Sequence, residues 1–146
     1  MSAPISASAY AATLLRLALG MMCIAHALLK YLVFTLPGTA QFFSQVGLPG
    51  WLAYPVFILE MAAGLAFILG WHSRWFALSL LPVMLGACWV HAGNGWVHTS
   101  NNGGWEYPAF LTISLLVQAL LGDGVYAARR AVAPRTASDT LSVYQA

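Results

Sequence analysis

Four ionisable side chains stand inside long apolar runs of this sequence: His26, Lys30, Glu60 and His91. An Asp, Lys or Arg at the centre of a membrane-spanning helix costs roughly 2.5–3.5 kcal/mol on insertion scales, so such groups are kept facing a protein interior. Their chemistry would be proton handling. Histidine changes charge near neutral pH, and burial raises a carboxylate toward that range. Glu60 is a lone carboxylate amid FILEMAAGL and needs a partner, with Lys30 or a histidine the obvious one. Glu60, His91 and His26 are therefore the candidate catalytic groups. Lys30, Glu106, Trp89, Trp105 and Arg16 are candidates for holding a substrate, with Phe57 and Phe67 as further aromatic walls.

Helical phase and rise bring these groups together. At 100° per residue, Arg16, Cys23, His26 and Lys30 fall within roughly 80° of one another. Met84, Cys88, His91 and Gly95 form one line on a later helix. At about 1.5 Å per residue, Lys30 lies roughly 8 Å below the outer end of the first helix and His26 roughly 14 Å. Glu60 comes out roughly 14 Å below the start of the second helix, and His91 roughly 6 Å below the outer end of the third. The expectation is a polar pocket in the outer half of a bundle. The stretch WVHAGNGWVHTSNNGGWEY from Trp89 to Tyr107 would be its lid and one wall.

The composition demands lipid around such a bundle. Of 146 residues, 60% are hydrophobic and 7% charged, against about 25% charged in soluble domains. A formal charge of +2 leaves no nucleic-acid footprint. Cys23 and Cys88 form no CxxC, which argues against a dithiol oxidoreductase. The absence of CxxCH argues against covalent haem. No basic segment precedes the first apolar run, so that run reads as a retained helix rather than a cleaved leader.

Four apolar runs, about Tyr10 to Leu36, Trp51 to Trp71, Trp75 to Gly95 and Tyr107 to Ala127, each approach the roughly 20 residues of a bilayer crossing. The fold class expected is an all-α, integral membrane four-helix bundle over residues 1–128. Residues 129–146 would form a polar cytoplasmic tail. PGTAQFFSQVGLPG reads as a loop between breakers, and HSR as a tight hairpin. Arg16, Arg74, Arg129, Arg130 and Arg135 fall on one side if the helices alternate, with Lys30 toward the other. Both termini are then cytoplasmic and the pocket faces outward. Trp51, Trp71, Trp75, Trp96 and Trp105 sit at helix ends, as an interfacial belt requires.

The segment LLRLALGMMCIAHALLKY resembles the first helix of the DoxX family, with arginine, glycine, then histidine followed four residues later by lysine. VGLPGWLAYPVFILEMAAGLAFILGWHSRWFAL resembles the second, and GGWEYPAFLTISLLVQALLGDGVYA, after His91, is similar to the end of that family's domain. Coverage runs from about Leu14 to Ala128, with alanine at 27 where the family usually has glycine. The resemblance implies a four-helix protein of a bacterial or archaeal inner membrane. It also implies kinship with subunits of quinone-linked, thiol-oxidising or redox-stress complexes.

Quinone reduction consumes two electrons and two protons, so a site needs hydrogen-bonding partners at two carbonyls and a group that changes protonation. His26, His91 and Glu60 could fill these roles, and Lys30 could stabilise negative charge developing on a quinone oxygen. No residue carries electrons, so an electron-donating partner subunit or soluble reductant is implied; a homo-oligomer is compatible. The alternatives are a non-catalytic anchor for a redox complex, a b-type haem between His26 and His91, a metal held by His26, Glu60 and His91, and small-molecule or proton-coupled transport.

Overall fold

A computed structural model describes residues 6–128. Residues 129–146 lie outside the described residues, and with them the expected tail and Arg129, Arg130 and Arg135. Among the described residues every regular element is helical. Helix α1 spans Ala7–Leu28 and runs on into a π-helical turn, Leu29–Val33. Then come α2 (Leu36–Gln45), α3 (Ala53–Leu69), α4 (Ser73–His91) and α5 (Glu106–Leu121).

Packing follows from where small residues sit. α1 lies along α3, α4 along α5, and the α3–α4 and α1–α5 contacts close the ring. At the α1–α3 crossing Gly20 faces Gly64. A Cβ on Gly64 would stand 2.6 Å from Ile24 Cγ1, and one on Gly20 would stand 3.0 Å from the Gly64 carbonyl. Hydrogen at both positions lets the backbones meet, the usual device for helix pairs in lipid. Below the crossing a continuous apolar cluster fills the interior: Leu19 from α1, Ala63 and Phe67 from α3, Ala77 and Leu80 from α4, Leu115 and Ala119 from α5. The outward faces carry Leu14, Ile58, Leu85, Phe110 and Leu120, all more than half exposed. Water would penalise that surface at about 25 cal/mol per Å², whereas lipid accepts it.

Three helical stretches, Ala7–Val33, Gly50–Leu69 and Ser73–Asn94, are long and apolar enough to cross a membrane. The chain is thus a multi-pass membrane protein. α5 is equally apolar but has 16 residues, about 24 Å of helix.

The first apolar run does not continue to Leu36 as one helix. α1 ends at Leu28, and after the π-helical turn the chain breaks at Thr35, whose φ is +62°. The expected loop PGTAQFFSQVGLPG contains α2. Pro37 stops a helix only from its interior, and here it occupies the first turn, where its missing N–H costs nothing. Thr35 Oγ1 accepts from Gly38 N at 3.2 Å and caps the new helix.

Candidate functional site

The polar side chains separate into two layers, one at each end of the apolar cluster. The first lies toward α2 and the α4–α5 connection. Lys30, in the π-helical turn, reaches across to α3 and donates to both oxygens of Glu60, at 2.9 and 2.7 Å. The Glu60 side chain keeps 5% exposure and the Lys30 side chain 18%. Each charge has its counter-charge in a two-pronged contact, which an interior ion pair requires if it is to offset its desolvation. The extra residue of the π turn rotates the chain around Lys30, and such turns recur at functional sites.

His26 sits one turn before Lys30 on α1. Its Nδ1 donates to the Met22 carbonyl at 2.8 Å, and its ring stacks on Tyr107 of α5 at 5.8 Å between centroids. Since a carbonyl can only accept, the proton of the neutral ring is on Nδ1 and Nε2 offers a lone pair. The Tyr107 hydroxyl is buried with no hydrogen-bond partner among the described residues, a group that ordinarily finds one. Cys23 of α1 lies within electrostatic reach of Glu60, Lys30 and Tyr107 and packs against the apolar cluster. α1 with its π-helical turn, α3 and α5 thus contribute an acid, an ammonium, an imidazole, a thiol and a phenol to the same end of the bundle.

His91 is built like His26, its Nδ1 donating to the Ala87 carbonyl at 2.8 Å and its Nε2 without a hydrogen bond among the described residues. It lies under the α4–α5 connection, where a Cβ on Gly103 would stand 3.3 Å from its Cδ2. No hydrogen bond joins it to Glu60 or His26 among the described residues. The connection above it is ordered by its own bonds. Trp105 N and Glu106 N donate to Gly95 O and Trp96 O, and the Asn94 side chain donates to Gly103 O at 2.9 Å. Glu106 binds His98, accepting from its backbone N–H at 2.8 Å and its Nδ1 at 2.7 Å. It latches the connection rather than rimming the Lys30–Glu60 layer.

The aromatic walls are elsewhere. Trp89 is 62% exposed. It precedes His91 by two positions, about 200° around α4, so a helix that turns His91 inward turns Trp89 to lipid. Trp105 packs edge-on to Trp96 at 4.4 Å in the connection, Phe57 stacks on Tyr31, and Phe67 belongs to the apolar cluster. Tyr107 is the aromatic residue that meets His26. Its signal was its place on the inward stripe Tyr107, Leu111, Ser114, Leu115, Gln118, spaced at three and four.

The second layer lies at the α3–α4 hairpin. Arg16 is 1% exposed, its Nη1 donating to the Phe67 and Ile68 carbonyls at 2.7 and 3.1 Å. It caps the negative end of α3 and is 14 positions from Lys30, about 21 Å along the helix, so it holds no ligand of the first layer. Arg74 does the same for α5, its Nε donating to Ala119 O at 2.8 Å. Asp123 accepts from Ser73 N at 2.7 Å and caps α4. Gly124, at φ +70°, lets the chain close on α1, where Thr13 Oγ1 donates to Val125 O at 2.8 Å. Three further atoms of this layer, Arg16 Nε, Ser73 Oγ and Gln118 Oε1, are buried without a partner among the described residues.

Among the described residues no three His, Cys, Asp or Glu side chains stand close enough to hold a metal ion, which removes the support for a metal on His26, Glu60 and His91. The DoxX family model matches residues 11–93, from the start of α1 to the end of α4. No match was found among curated proteins or among solved structures.

Proposed function

The chain belongs to the DoxX family, and from that premise we propose that it is a membrane subunit of a redox system whose first polar layer binds quinone or quinol and handles its protons. The observation that carries the reading is the layer itself. Glu60 and Lys30 close at 2.7 Å one helical turn from His26, and among the described residues neither the His26 Nε2 nor the buried Tyr107 hydroxyl has a hydrogen-bond partner. A quinone ring fits this donor set. The Tyr107 hydroxyl and the Lys30 ammonium would hold its carbonyls as donors, and its apolar body would suit aliphatic and aromatic side chains. Quinone chemistry supplies a two-electron carrier; the chain supplies orientation and proton exchange. His26 Nε2 accepts a proton while the Met22 carbonyl holds its Nδ1–H and with it the ring orientation. Lys30 donates to whichever bears more negative charge, Glu60 or a ligand oxygen. Electrons come from a partner subunit or a soluble reductant.

The remaining expectations join this reading as proposals: α5 as a fourth crossing, both termini cytoplasmic, and residence in a bacterial or archaeal inner membrane. Arg16 and Arg74 share one end of the bundle and Lys30 the other, which supports the orientation. The test is organic extraction of protein purified in mild detergent, followed by mass spectrometry and titration with a soluble quinone analogue. Wild type is expected to carry or bind quinone, and Tyr107→Phe and His26→Gln to bind it more weakly. Equal binding by all three would refute the site.

A second reading has its own observation. Lys30 and Glu60 satisfy one another, as members of a purely architectural pair would, and the chain would then be an anchor for a redox complex. The double variant described in the Discussion separates the two.

A further inference from the structure

We infer that the Lys30–Glu60 layer is one-sided, accessible from one membrane face alone, so that any proton or ligand it exchanges enters and leaves on the side of α2 and the α4–α5 connection. The inference concerns access and does not depend on which ligand the layer takes.

Three features stack along the bundle axis beneath the layer. The first is apolar. Leu19, Phe67, Leu80 and Leu115, one from each of the four long helices, are at most 4% exposed and pack together with Ala63 and Ala77. A water or proton crossing such a plug would shed its hydrogen bonds with nothing to replace them.

The second is the direction of the hydroxyls at that depth. Thr112 and Ser114 of α5 donate back to Pro108 O and Phe110 O of their own helix, each at 2.8 Å. Thr112 Oγ1 also lies 3.9 Å from Cys88 Sγ of α4, and the link ends there: Cys88 makes no further side-chain hydrogen bond among the described residues. Among the described residues no side-chain hydrogen bond links the Lys30–Glu60 layer to the Arg16 layer.

The third is a charge. Below Phe67 lies Arg16, a guanidinium that stays protonated at any working pH. It is tied to the Phe67 and Ile68 carbonyls and lies within reach of Asp123. A fixed cation buried at that end of the bundle repels protons and other cations approaching the apolar cluster from there, as such groups do in selective pores. Desolvation and repulsion act in series, and the hairpin end is further shut by Asp123 on α4 and Thr13 on Val125.

Lys30 retains 18% side-chain exposure and sits in the last turn before α2, so the open side is the one it reaches. The architecture is that of a one-sided site and not of a transport path. Proton exchange at Glu60 or His26 is therefore registered at one face of the membrane.

The test is cysteine accessibility in the full chain. Cys23 and Cys88 are replaced by alanine, and single cysteines are placed at Lys30 and, separately, at His26, the latter leaving the ion pair intact. Thr99→Cys, exposed in the α4–α5 connection, and Ala128→Cys, exposed past α5 at the hairpin end, mark the two faces. A membrane-impermeant methanethiosulfonate is applied to spheroplasts and to inverted vesicles. Lys30→Cys and His26→Cys are expected to react only in the preparation that labels Thr99→Cys. They should stay unlabelled for as long as Ala128→Cys takes to react fully from the other face. Labelling of His26→Cys from the Ala128 face, or from both faces, overturns the inference. So does protection from both faces while the two markers react normally.

Discussion

Removing the ammonium of Lys30 strands the carboxylate of Glu60 in an interior where it keeps 5% exposure. Breaking a buried ion pair from one side costs about 3–5 kcal/mol, most of it the uncompensated charge. Lys30 retains 18% exposure, which admits some screening and places Lys30→Met near the lower end, about 3 kcal/mol. At about 2–4 °C per kcal/mol for a chain of this size, the melting temperature in mild detergent should fall by about 6–12 °C. Glu60→Met strands the ammonium in turn, and because Lys30 keeps 18% exposure it should cost less, about 1–3 kcal/mol. Replacing both partners by methionine removes two charges and two desolvation penalties together. That double variant should return to within about 1.5 kcal/mol of wild type. The assay is a double-mutant cycle on unfolding monitored by circular dichroism, with quinone binding measured on the same four proteins. A coupling of about 3 kcal/mol, with the double variant folded but unable to bind, supports a site whose charges serve chemistry. A folded double variant that binds quinone as wild type does supports the anchor reading. If Lys30→Met alone unfolds at the wild-type temperature, the pair is not charged and buried as described, and the reasoning fails.

Other consequences are simpler to read. Gly64→Ala puts a methyl against Ile24 and should destabilise by about 1–3 kcal/mol. Gly86→Ala meets nothing within 4 Å and should be neutral or gain up to about 1 kcal/mol; the two melting temperatures decide. Arg16→Met leaves the Phe67 and Ile68 carbonyls without their donor and should cost about 2–4 kcal/mol, with Arg16→Lys recovering part through one of the two bonds. Glu106→Gln weakens the acceptor that holds His98, so hydrogen exchange at the His98 amide should speed up while amides in α4 keep their protection. An unchanged His98 rate would show that the backbone bonds of the connection suffice without it.

How much of this was readable from the residues depended on how local the cause was. Helix existence followed from unbroken apolar runs, and the Glu60–Lys30 pairing from the expense of a solitary carboxylate. The ends were harder. Pro37 and Gly38 read as breakers, yet the same proline inside a first turn starts α2. Trp89 was a plausible ring clamp by residue type, and its exposure is settled by two positions of helical phase from His91. Arg16 read as a boundary or ligand-holding residue because nothing in its own helix shows that the carbonyls 51 and 52 positions later lie within its reach. Glu106 likewise pairs with His98 through a turn whose geometry depends on Gly103 and Gly104, not on charge pattern. Tyr107 and Gln118 were legible in principle from the stripe on α5, but neither residue type stands out from composition.

The clasp between Thr13 and Val125 joins positions 112 residues apart, and Arg16 likewise waits for carbonyls that emerge from the ribosome well after it does. The bundle therefore cannot lock as its first helix enters the bilayer. Until α3 follows, α1 must rest in lipid with a bare guanidinium, and the Thr13 clasp closes only after α5. During biogenesis that exposed intermediate is where an insertase or quality-control protease would find its grip.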